Sequence, residues 1–331
     1  MMRLSTMQAV VEALDEDGGS RVADEIAAYW GADLSSVRFF RASANFVFKF
    51  TQDGRKYMLR FNHATERTLE GVQAELRYVN HLATQGVLVA KPLPSLNGRF
   101  VESVPTALGV FHAVAFEALA GPKWEVADLT PEMFGVWGAA LGRLHSASQG
   151  YPGTDRPTWQ DHLAQAARVL PPEEQAAHAV LLRLKSWLGG LPYPESGFGL
   201  IHFDFELDNI LWTDGGPAAI DFDDCARCWF AADIAYALRE PFDDDPAAVN
   251  LGHDAVRHFV GGYRTVRTLS GEELESVPLF LRLHNLLMFA RLHRALDAGD
   301  QPDSLAWVKR LRHKLSAKMD KYRDGFSDAA C

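Results

Sequence analysis

The sequence predicts an α+β fold in which a small antiparallel sheet comes first and a larger, mostly helical part follows. Three observations predict it. Short apolar runs separated by turn residues occupy residues 37–61, and a further apolar run covers 110–119. Beyond residue 130, apolar residues recur at steps of three and four, as in helices that face a core. With 331 residues, 47% of them apolar, the chain can form two lobes that share an interface.

The first strands surround a segment of small residues. Residues 37–51 contain two apolar runs on either side of Ala42 to Asn45, and Asp53-Gly54 predicts a hairpin turn into a strand at 56–61. A helix follows, because Val72, Leu76, Val79 and Leu82 recur at helical spacing. The apolar run 110–119 predicts a strand that ends at the breaker Ala120-Gly121-Pro122.

Residues 200–222 place polar side chains among short apolar runs. We predict two strands, at 210–212 and 218–222, joined by a turn and preceded by a loop at 204–208. A buried, isolated carboxylate costs several kcal/mol, so Asp204, Asn209 and Asp221 are expected to converge on a compensating group. A divalent metal fits. Asn209 and Asp221 offer the hard oxygen ligands that magnesium takes, which leaves Asp204 as a base.

Two alternatives stay open for this segment at the level of the residues. One is a plain β-hairpin whose acidic turn residues are solvated. The other is a metal cluster of the phosphoesterase type, built from His202, Asp204, Asp221 and Asp223. The second ranks low because the sequence has no further histidines at suitable spacing.

The pattern His202-x-Asp204-x-x-x-x-Asn209 followed by Ile220-Asp221-Phe222 resembles a known pair of motifs. It is similar to the catalytic loop and metal-binding segment of the aminoglycoside phosphotransferase and choline kinase family, relatives of protein kinases. The sequence departs from the family at Phe203, where glycine is usual. It also departs from protein kinases at Asp223, where they have the glycine of their DFG triplet. The resemblance implies a bilobal, protein-kinase-like fold, with lobes at 1–118 and 119–331.

For mechanism, the resemblance implies phosphoryl transfer from ATP to a hydroxyl group, with Mg²⁺ as cofactor. Asp204 would accept the proton of the attacking hydroxyl, while Asn209 and Asp221 would hold magnesium on the nucleotide phosphates. His202 would brace the loop. The partners would be a nucleoside triphosphate and a small acceptor, and the choice between ATP and GTP stays open.

The same resemblance implies a set of nucleotide-binding residues. Arg60 sits where kinases place their strand lysine, and Glu75, beside the apolar stripe of its helix, is the expected ion-pair partner. Arg60 taken alone reads as a surface residue on an edge strand. The phosphates would be approached by Ser43 and Asn45. Adenine would contact the backbone of Glu117 and Leu119 over an apolar floor of Leu211 and Ile220, residues that could equally be core.

Two residues are expected to support the site. Thr130-Pro131 predicts the start of a helix that ends near His145, a histidine that we interpret as packed and structural. Asp233, near the start of a later helix, fits a family position that hydrogen-bonds back to the catalytic loop.

The acceptor is not determined by the sequence. Acidic residues and tryptophans near the presumed site favour a cationic amine such as an amino alcohol or aminocyclitol: Glu206, Asp208, Asp223, Asp224, Asp243 to Asp245, Trp124, Trp159 and Trp229. The run Asp243 to Asp245 also fits a solvated loop, and Arg282, Arg291 and Arg294 could meet an anionic acceptor. Alternative functions are a protein Ser/Thr kinase of the bacterial stress-response type and a nucleotide-binding pseudokinase.

Composition and the lack of targeting signals predict a soluble, cytoplasmic protein with no nucleic-acid or membrane partner. The net charge is −10, so the basic final helix predicted around 305–322 is expected to present a solvated face. We find no signal peptide pattern and no apolar stretch long enough for a bilayer. Cys225 and Cys228 lack the second pair of ligands that zinc requires, and with Cys331 they are expected to be incidental, reduced thiols. The oligomeric state stays open.

Overall fold

A computed structural model describes residues 1–297 and 305–328 of the chain. Its contacts divide the chain into two compact units. The first unit contains Met1–Asn80, Ala90–Ala118 and Arg291–Lys318, and the second contains His81–Val89, Leu119–Ala290 and the residues from Met319 onward. The lobes 1–118 and 119–331 stay a prediction, because the two units are discontinuous in sequence.

The first unit is built on an antiparallel sheet. Its strands are β1 (Arg38–Ala42), β2 (Phe46–Gln52), β3 (Arg55–His63), β4 (Pro92–Leu93), β5 (Glu102–Thr106) and β6 (Gly109–Glu117). Their order is β1-β2-β3-β6-β4, and β5 also pairs with β6. The predicted hairpin turn between β2 and β3 is present. Asp53 and Gly54 both have positive φ, 51° and 74°, as the tight turn of a twisted hairpin requires.

Aromatic side chains form the core beside this sheet. Phe46, Phe48, Phe61 and Phe111 are each at most 1% exposed, and the rings of Phe48 and Phe61 stack at 5.4 Å. Helices α1 (Leu4–Val11), α2 (Arg21–Ala27) and α3 (Leu69–Thr84) accompany the sheet in sequence. The apolar stripe of α3 packs against strand β6 through Val72, Leu76 and Val114. This packing fixes the face of α3 on which Glu75 lies.

The second unit is mostly helical. Its helices are α4 (Pro131–Ser148), α5 (Trp159–Val169), α6 (Gln175–Gly190), α7 (Phe230–Ala237), α8 (Asp254–Arg264), α9 (Gly271–Glu275), α10 (Val277–Ala295) and α11 (Ala306–Asp328), the last two also contributing residues to the first unit. Two small antiparallel sheets pair β7 (Phe198–Ile201) with β10 (Ala226–Trp229), and β8 (Ile210–Thr213) with β9 (Gly216–Ala219). Thr130 caps α4 and Pro131 is its first residue, as predicted.

Helices α4 and α8 touch backbone to backbone. A Cβ atom at Gly138 would lie 1.9 Å from the carbonyl oxygen of Phe259, and one at Gly262 would lie 1.8 Å from that of Gly135. No side chain fits at either position. This close approach brings His145 at the end of α4 to Tyr263 of α8.

None of the helices in the described ranges has both the length and the apolar composition needed to span a membrane.

Candidate active site

The loop between β7 and β8 is anchored by a buried carboxylate. Asp233, in the first turn of α7, is fully buried. Its Oδ2 accepts the backbone amide of His202 and its Oδ1 accepts that of Phe203, both at 2.8 Å. The predicted hydrogen bonding of Asp233 to the catalytic loop is therefore confirmed. Two charge-assisted hydrogen bonds to backbone fix where the loop begins.

His145 holds Asp233 from the other side. Its Nε2 lies 3.1 Å from Asp233 Oδ2, and its Nδ1 lies 2.9 Å from the hydroxyl of Tyr263. Burial lowers the pKa of His145 despite the neighbouring Asp233, and burial raises the pKa of Tyr263. A neutral imidazole therefore donates from Nε2 to the carboxylate and accepts the tyrosine hydroxyl proton at Nδ1. The expectation of a packed structural histidine is confirmed, and the ring stacks on Phe230 at 4.3 Å.

His202 joins the catalytic loop to the segment after β9. Its Nε2 donates to the carbonyl oxygen of Ile220 at 3.0 Å, and its Nδ1 accepts the backbone amide of Asp204 at 3.3 Å. Both ring nitrogens are thus engaged with backbone. This is the predicted bracing role, and it counts against His202 as a ligand in a phosphoesterase-type cluster. Within residues 1–297 and 305–328, no group of three His, Cys, Asp or Glu side chains is placed to hold a metal.

Asp204 and Asn209 are joined directly. Asn209, which is 2% exposed, donates through Nδ2 to the carbonyl oxygen of Asp204 at 2.9 Å and to its carboxylate Oδ2 at 3.0 Å. The 3-10 turn Leu207–Asn209 makes this geometry possible by folding the loop back on itself. Because the amide nitrogen faces Asp204, the Oδ1 of Asn209 is the atom that can serve a cation.

Asp221 follows strand β9, at the end of the β8–β9 hairpin where Asn209 precedes β8. The amide of Ile220 donates to the carbonyl of Asn209 at 3.0 Å, which extends the β8–β9 ladder and puts Asp221 one residue beyond Asn209's partner. Asp221 has a φ of 65°, so the chain turns sharply there. An amide oxygen and a carboxylate at one hairpin end are a donor set that suits Mg²⁺. The residues therefore fit a divalent cation.

The sequence-based interpretation missed Arg239. This arginine is 8% exposed and lies just after α7. It forms ion pairs with Asp204 (3.3 Å), with Glu206, and with Asp244 (3.5 Å). The available signal was a single arginine at the end of the almost wholly apolar stretch 228–238. Such a buried cation requires carboxylate partners, but the sequence could not say which.

The sequence placed Glu206 among the acidic residues near the presumed site that favour a cationic acceptor. Burial is the main cause that raises the pKa of its carboxyl to about 7, and the carboxylates of Asp204, Glu240 and Asp208 act in the same direction. Arg239 opposes the rise. The carboxyl of Glu206 therefore changes charge near neutral pH.

Arg60 and Glu75 form the predicted ion pair. Nη1 and Nη2 of Arg60 donate to the two carboxylate oxygens of Glu75, both at 2.7 Å. Both residues are buried, at 6% and 2% exposure. The alternative of a surface arginine on β3 is wrong, because α3 covers the side chain.

The small-residue segment before β2 lies within the first unit. Ser43 donates its amide to the carbonyl of Asn45 at 3.1 Å, and Asn45 is 1% exposed with its Oδ1 bonded to Asn62 Nδ2 at 2.7 Å. Their contact with phosphate stays a prediction.

The residues expected around adenine are located as follows. Glu117 is the last residue of β6 and gives its amide to the carbonyl of Lys91 at 3.0 Å. After Leu119 the chain runs beside β8, where Trp212 donates its amide to Pro122 at 3.1 Å. Leu211 on β8 and Ile220 after β9 are half-buried. Their contact with adenine stays a prediction.

Several residues considered for the acceptor site pack against or form ion pairs with other residues of the chain. Trp159 and Trp229 are buried and pack on each other at 5.6 Å. Arg294 pairs with Glu66. Within the run at 243–245, Asp243 is exposed and pairs with Lys321, whereas Asp244 contacts Arg239. Cys225 and Cys228 are buried, burial raises the pKa of Cys228, and Cys331 lies outside the described residues.

Residues 14–269 match the model of the phosphotransferase enzyme family, APH. The chain belongs to this family, and it is a phosphotransferase with an alcohol group as acceptor, that is, a kinase. The protein-kinase-like fold predicted from the sequence is confirmed.

Individual relatives cover most of the chain. It is 32% identical over 307 residues to the amicoumacin kinase of Bacillus subtilis (strain 168), covering 88% of this chain and 90% of the relative. It is 27% identical over 326 residues to a homoserine kinase of Caulobacter sp. (strain K31), covering 92% and 95%. Among solved structures, amicoumacin kinase hAmiN in complex with AMP-PNP, Ca²⁺ and Ami superposes with a TM-score of 0.79. The identity is 26%, over 97% of this chain and 96% of that one.

Proposed function

We propose that this protein transfers the γ-phosphate of ATP, with Mg²⁺, to a hydroxyl group of a small molecule that carries an amine. The observation that carries the proposal is the contact of Asn209 with Asp204. One side chain orients the presumed base through its nitrogen and offers its oxygen to a cation.

Asp204 is the base in this proposal. Its carboxylate accepts the proton of the acceptor hydroxyl as that oxygen bonds to the γ-phosphorus and the bond to the β-phosphate oxygen breaks, which releases ADP. Asp233 and His202 keep the loop in place during this step, since both are engaged with backbone. Asn209 and Asp221 would hold the metal. When bound, the metal neutralises the charge on the phosphate oxygens.

Arg60 is proposed to hold phosphate oxygens of the nucleotide, in an orientation set by Glu75. A guanidinium fixed by two hydrogen bonds needs no reordering when nucleotide binds. Ser43 and Asn45 line the phosphates, and Glu117, Leu119, Leu211 and Ile220 contact adenine. ATP occurs in the cytosol, which is the compartment that we expect.

An amine-bearing acceptor is favoured by the negative charge around Asp204. Glu206 and Asp244 lie within reach of the same arginine as Asp204, since Arg239 forms an ion pair with each of these three carboxylates. An ammonium group would reduce the remaining excess of negative charge. The relatives named for amicoumacin and homoserine point to the same kind of acceptor, and we propose amicoumacin as the first to assay.

A panel assay tests the proposal. The full chain is incubated with radiolabelled ATP, Mg²⁺ and one acceptor at a time: amicoumacin, homoserine, an aminoglycoside, an amino alcohol, and a polyol without an amine. Labelled product with amine-bearing acceptors, lost in EDTA and restored by Mg²⁺, is the expected result. Label on the polyol alone would contradict the acceptor class. Label on protein alone would favour the protein kinase alternative, and binding of ATP without any transfer would favour the pseudokinase.

A further inference from the structure

Arg239 is a buried cation held at the end of a buried helix. It follows α7, and its Nη1 donates to the carbonyl oxygen of Tyr236 at 3.0 Å. This hydrogen bond to the last turn of α7 fixes one edge of the guanidinium group. The rest of the group points toward the catalytic loop, because it meets Asp204 and Glu206 there.

Three carboxylates share this one guanidinium. Nη2 meets Oδ1 of Asp204 at 3.3 Å and Oε2 of Glu206, and Nε lies 3.5 Å from Oδ1 of Asp244. Burial acts to lower the pKa of Arg239, but the carboxylates outweigh it and raise the pKa, so the charge is permanent. Without Arg239, the carboxylates of Asp204 and Glu206 would face each other without a shared cation, and like charges at short range repel.

The two carboxylate oxygens of Asp204 have different partners. Oδ2 accepts from Asn209 at 3.0 Å, and Oδ1 faces Arg239 at 3.3 Å. A carboxylate held at both oxygens has a fixed plane, and each oxygen still has a lone pair for a further proton. A base must be oriented as well as close, because a misplacement of about 1 Å can cost about 100-fold in rate.

We propose that Arg239 is a positioning residue for Asp204, fixing the orientation of its carboxylate together with Asn209 while Glu206 and Asp244 hold Arg239 itself. The inference rests on the proposed role of Asp204 as the base. Arg239 acts through Asp204 and does not itself contact the reacting atoms.

The test compares Arg239→Met, which removes the charge, with Arg239→Lys, which keeps it but lacks the planar fork. For Arg239→Met we expect kcat to fall about 100-fold, while the KM for ATP changes by less than about twofold. Arg239→Lys is expected to recover part of the lost kcat. Arg264→Met is the matched control, because Arg264 bonds the carbonyl of Leu269 (3.1 and 2.9 Å), remote in sequence from the catalytic loop. That variant should lose stability and keep kcat.

A crystal structure of each variant separates this inference from the proposed function. In Arg239→Met the Asp204 carboxylate should rotate or split into two conformers, and in Arg239→Lys it should keep one. If wild-type protein transfers phosphate to no acceptor, the proposed function fails. The orientation of Asp204 in the variant structures still tests whether Arg239 positions this carboxylate. An unchanged Asp204 conformer in Arg239→Met, or a kcat equal to that of wild type, overturns the inference. If Arg239→Met does not fold, a wild-type kcat in Arg239→Lys overturns the inference, and so does a fall in kcat in Arg264→Met as large as that in Arg239→Lys.

Discussion

Asp233 accepts the backbone amide of Phe203 at 2.8 Å, at a residue whose φ of 72° lies in the left-handed region. The hydrogen bond and the backbone strain therefore belong to the same residue, Phe203. Side chains with a Cβ atom pay about 1–2 kcal/mol for that conformation. The buried carboxylate helps to hold the catalytic loop in a shape that its own residue disfavours.

We predict that Asp233→Asn lowers the free energy of unfolding by about 3 kcal/mol, because two charge-assisted hydrogen bonds and the contact with His145 are weakened. Urea denaturation measures this loss. Asp254→Asn is the control: Asp254 forms an exposed pair with Arg257 on α8 and should change stability by less than about 0.5 kcal/mol. Equal effects of the two substitutions would contradict the anchoring role.

Phe203 offers a way to separate strain from packing. Its ring is buried and stacks on His162 at 4.6 Å. Both Phe203→Ala and Phe203→Gly remove the ring, and both should be less stable than wild type. Because glycine has no Cβ atom, we expect Phe203→Gly to be the more stable of the two by about 1 kcal/mol. Urea denaturation of the pair measures the difference, and the reverse order would show that strain at this φ is negligible.

The contact of α4 with α8 predicts opposite outcomes at neighbouring glycines. Gly262→Ala should destabilise the protein by about 3 kcal/mol or more, since its Cβ would lie 1.8 Å from the carbonyl of Gly135. Gly261→Ala meets no atom within 4 Å and should stabilise the helix by about 0.5–1 kcal/mol. Thermal denaturation of both variants checks the sign. A destabilised Gly261→Ala would contradict the packing described.

The carboxyl of Glu206 makes the free energy of unfolding depend on pH, in a direction that follows from its raised pKa. A carboxyl whose pKa rises from 4.5 to about 7 on folding binds its proton more tightly in the folded state. Its contribution to stability is full below pH 4.5 and is lost as the pH rises through 7. Relative to Glu206→Gln, wild type should therefore lose at most about 3 kcal/mol over this range.

Free energies of unfolding measured from pH 4 to pH 8 test this sign, with Asp214→Asn as the control. Asp214 lies exposed in the turn between β8 and β9. Its difference from wild type should stay flat over the range where that of Glu206→Gln changes. A flat profile for Glu206→Gln would mean that Arg239 keeps Glu206 ionised throughout.

Sequence reasoning located the parts of the site that depend on local spacing. The loop from His202 to Asn209 and the hairpin leading to Asp221 follow from motif spacing, whereas the pairing of Arg60 with Glu75 was implied by the family resemblance, with helix periodicity selecting Glu75. The supporting role of Asp233 came from resemblance. Arg239 was missed, because its partner Asp204 lies 35 residues earlier and only the folded chain brings α7 to that loop.

The backbone geometry also could not be predicted from the sequence. A phenylalanine at position 203 does not by itself indicate a positive φ. The sequence showed the departure from glycine at this position but not the backbone strain that comes with it. The contact of α4 with α8 is a similar case. Gly138 and Gly262 are glycines within helices, and only the backbone that each one contacts shows why a larger side chain fails there.

We propose that Asp204 serves as the base while other residues hold the nucleotide. Asp204→Ala tests this role, with Asp214→Ala, in the exposed turn between β8 and β9, as the matched loss of a carboxylate. We expect Asp204→Ala to lower kcat about 1,000-fold and to change the Kd for ATP by less than about threefold, whereas Asp214→Ala changes neither. Turnover by Asp204→Ala at the wild-type rate would contradict it.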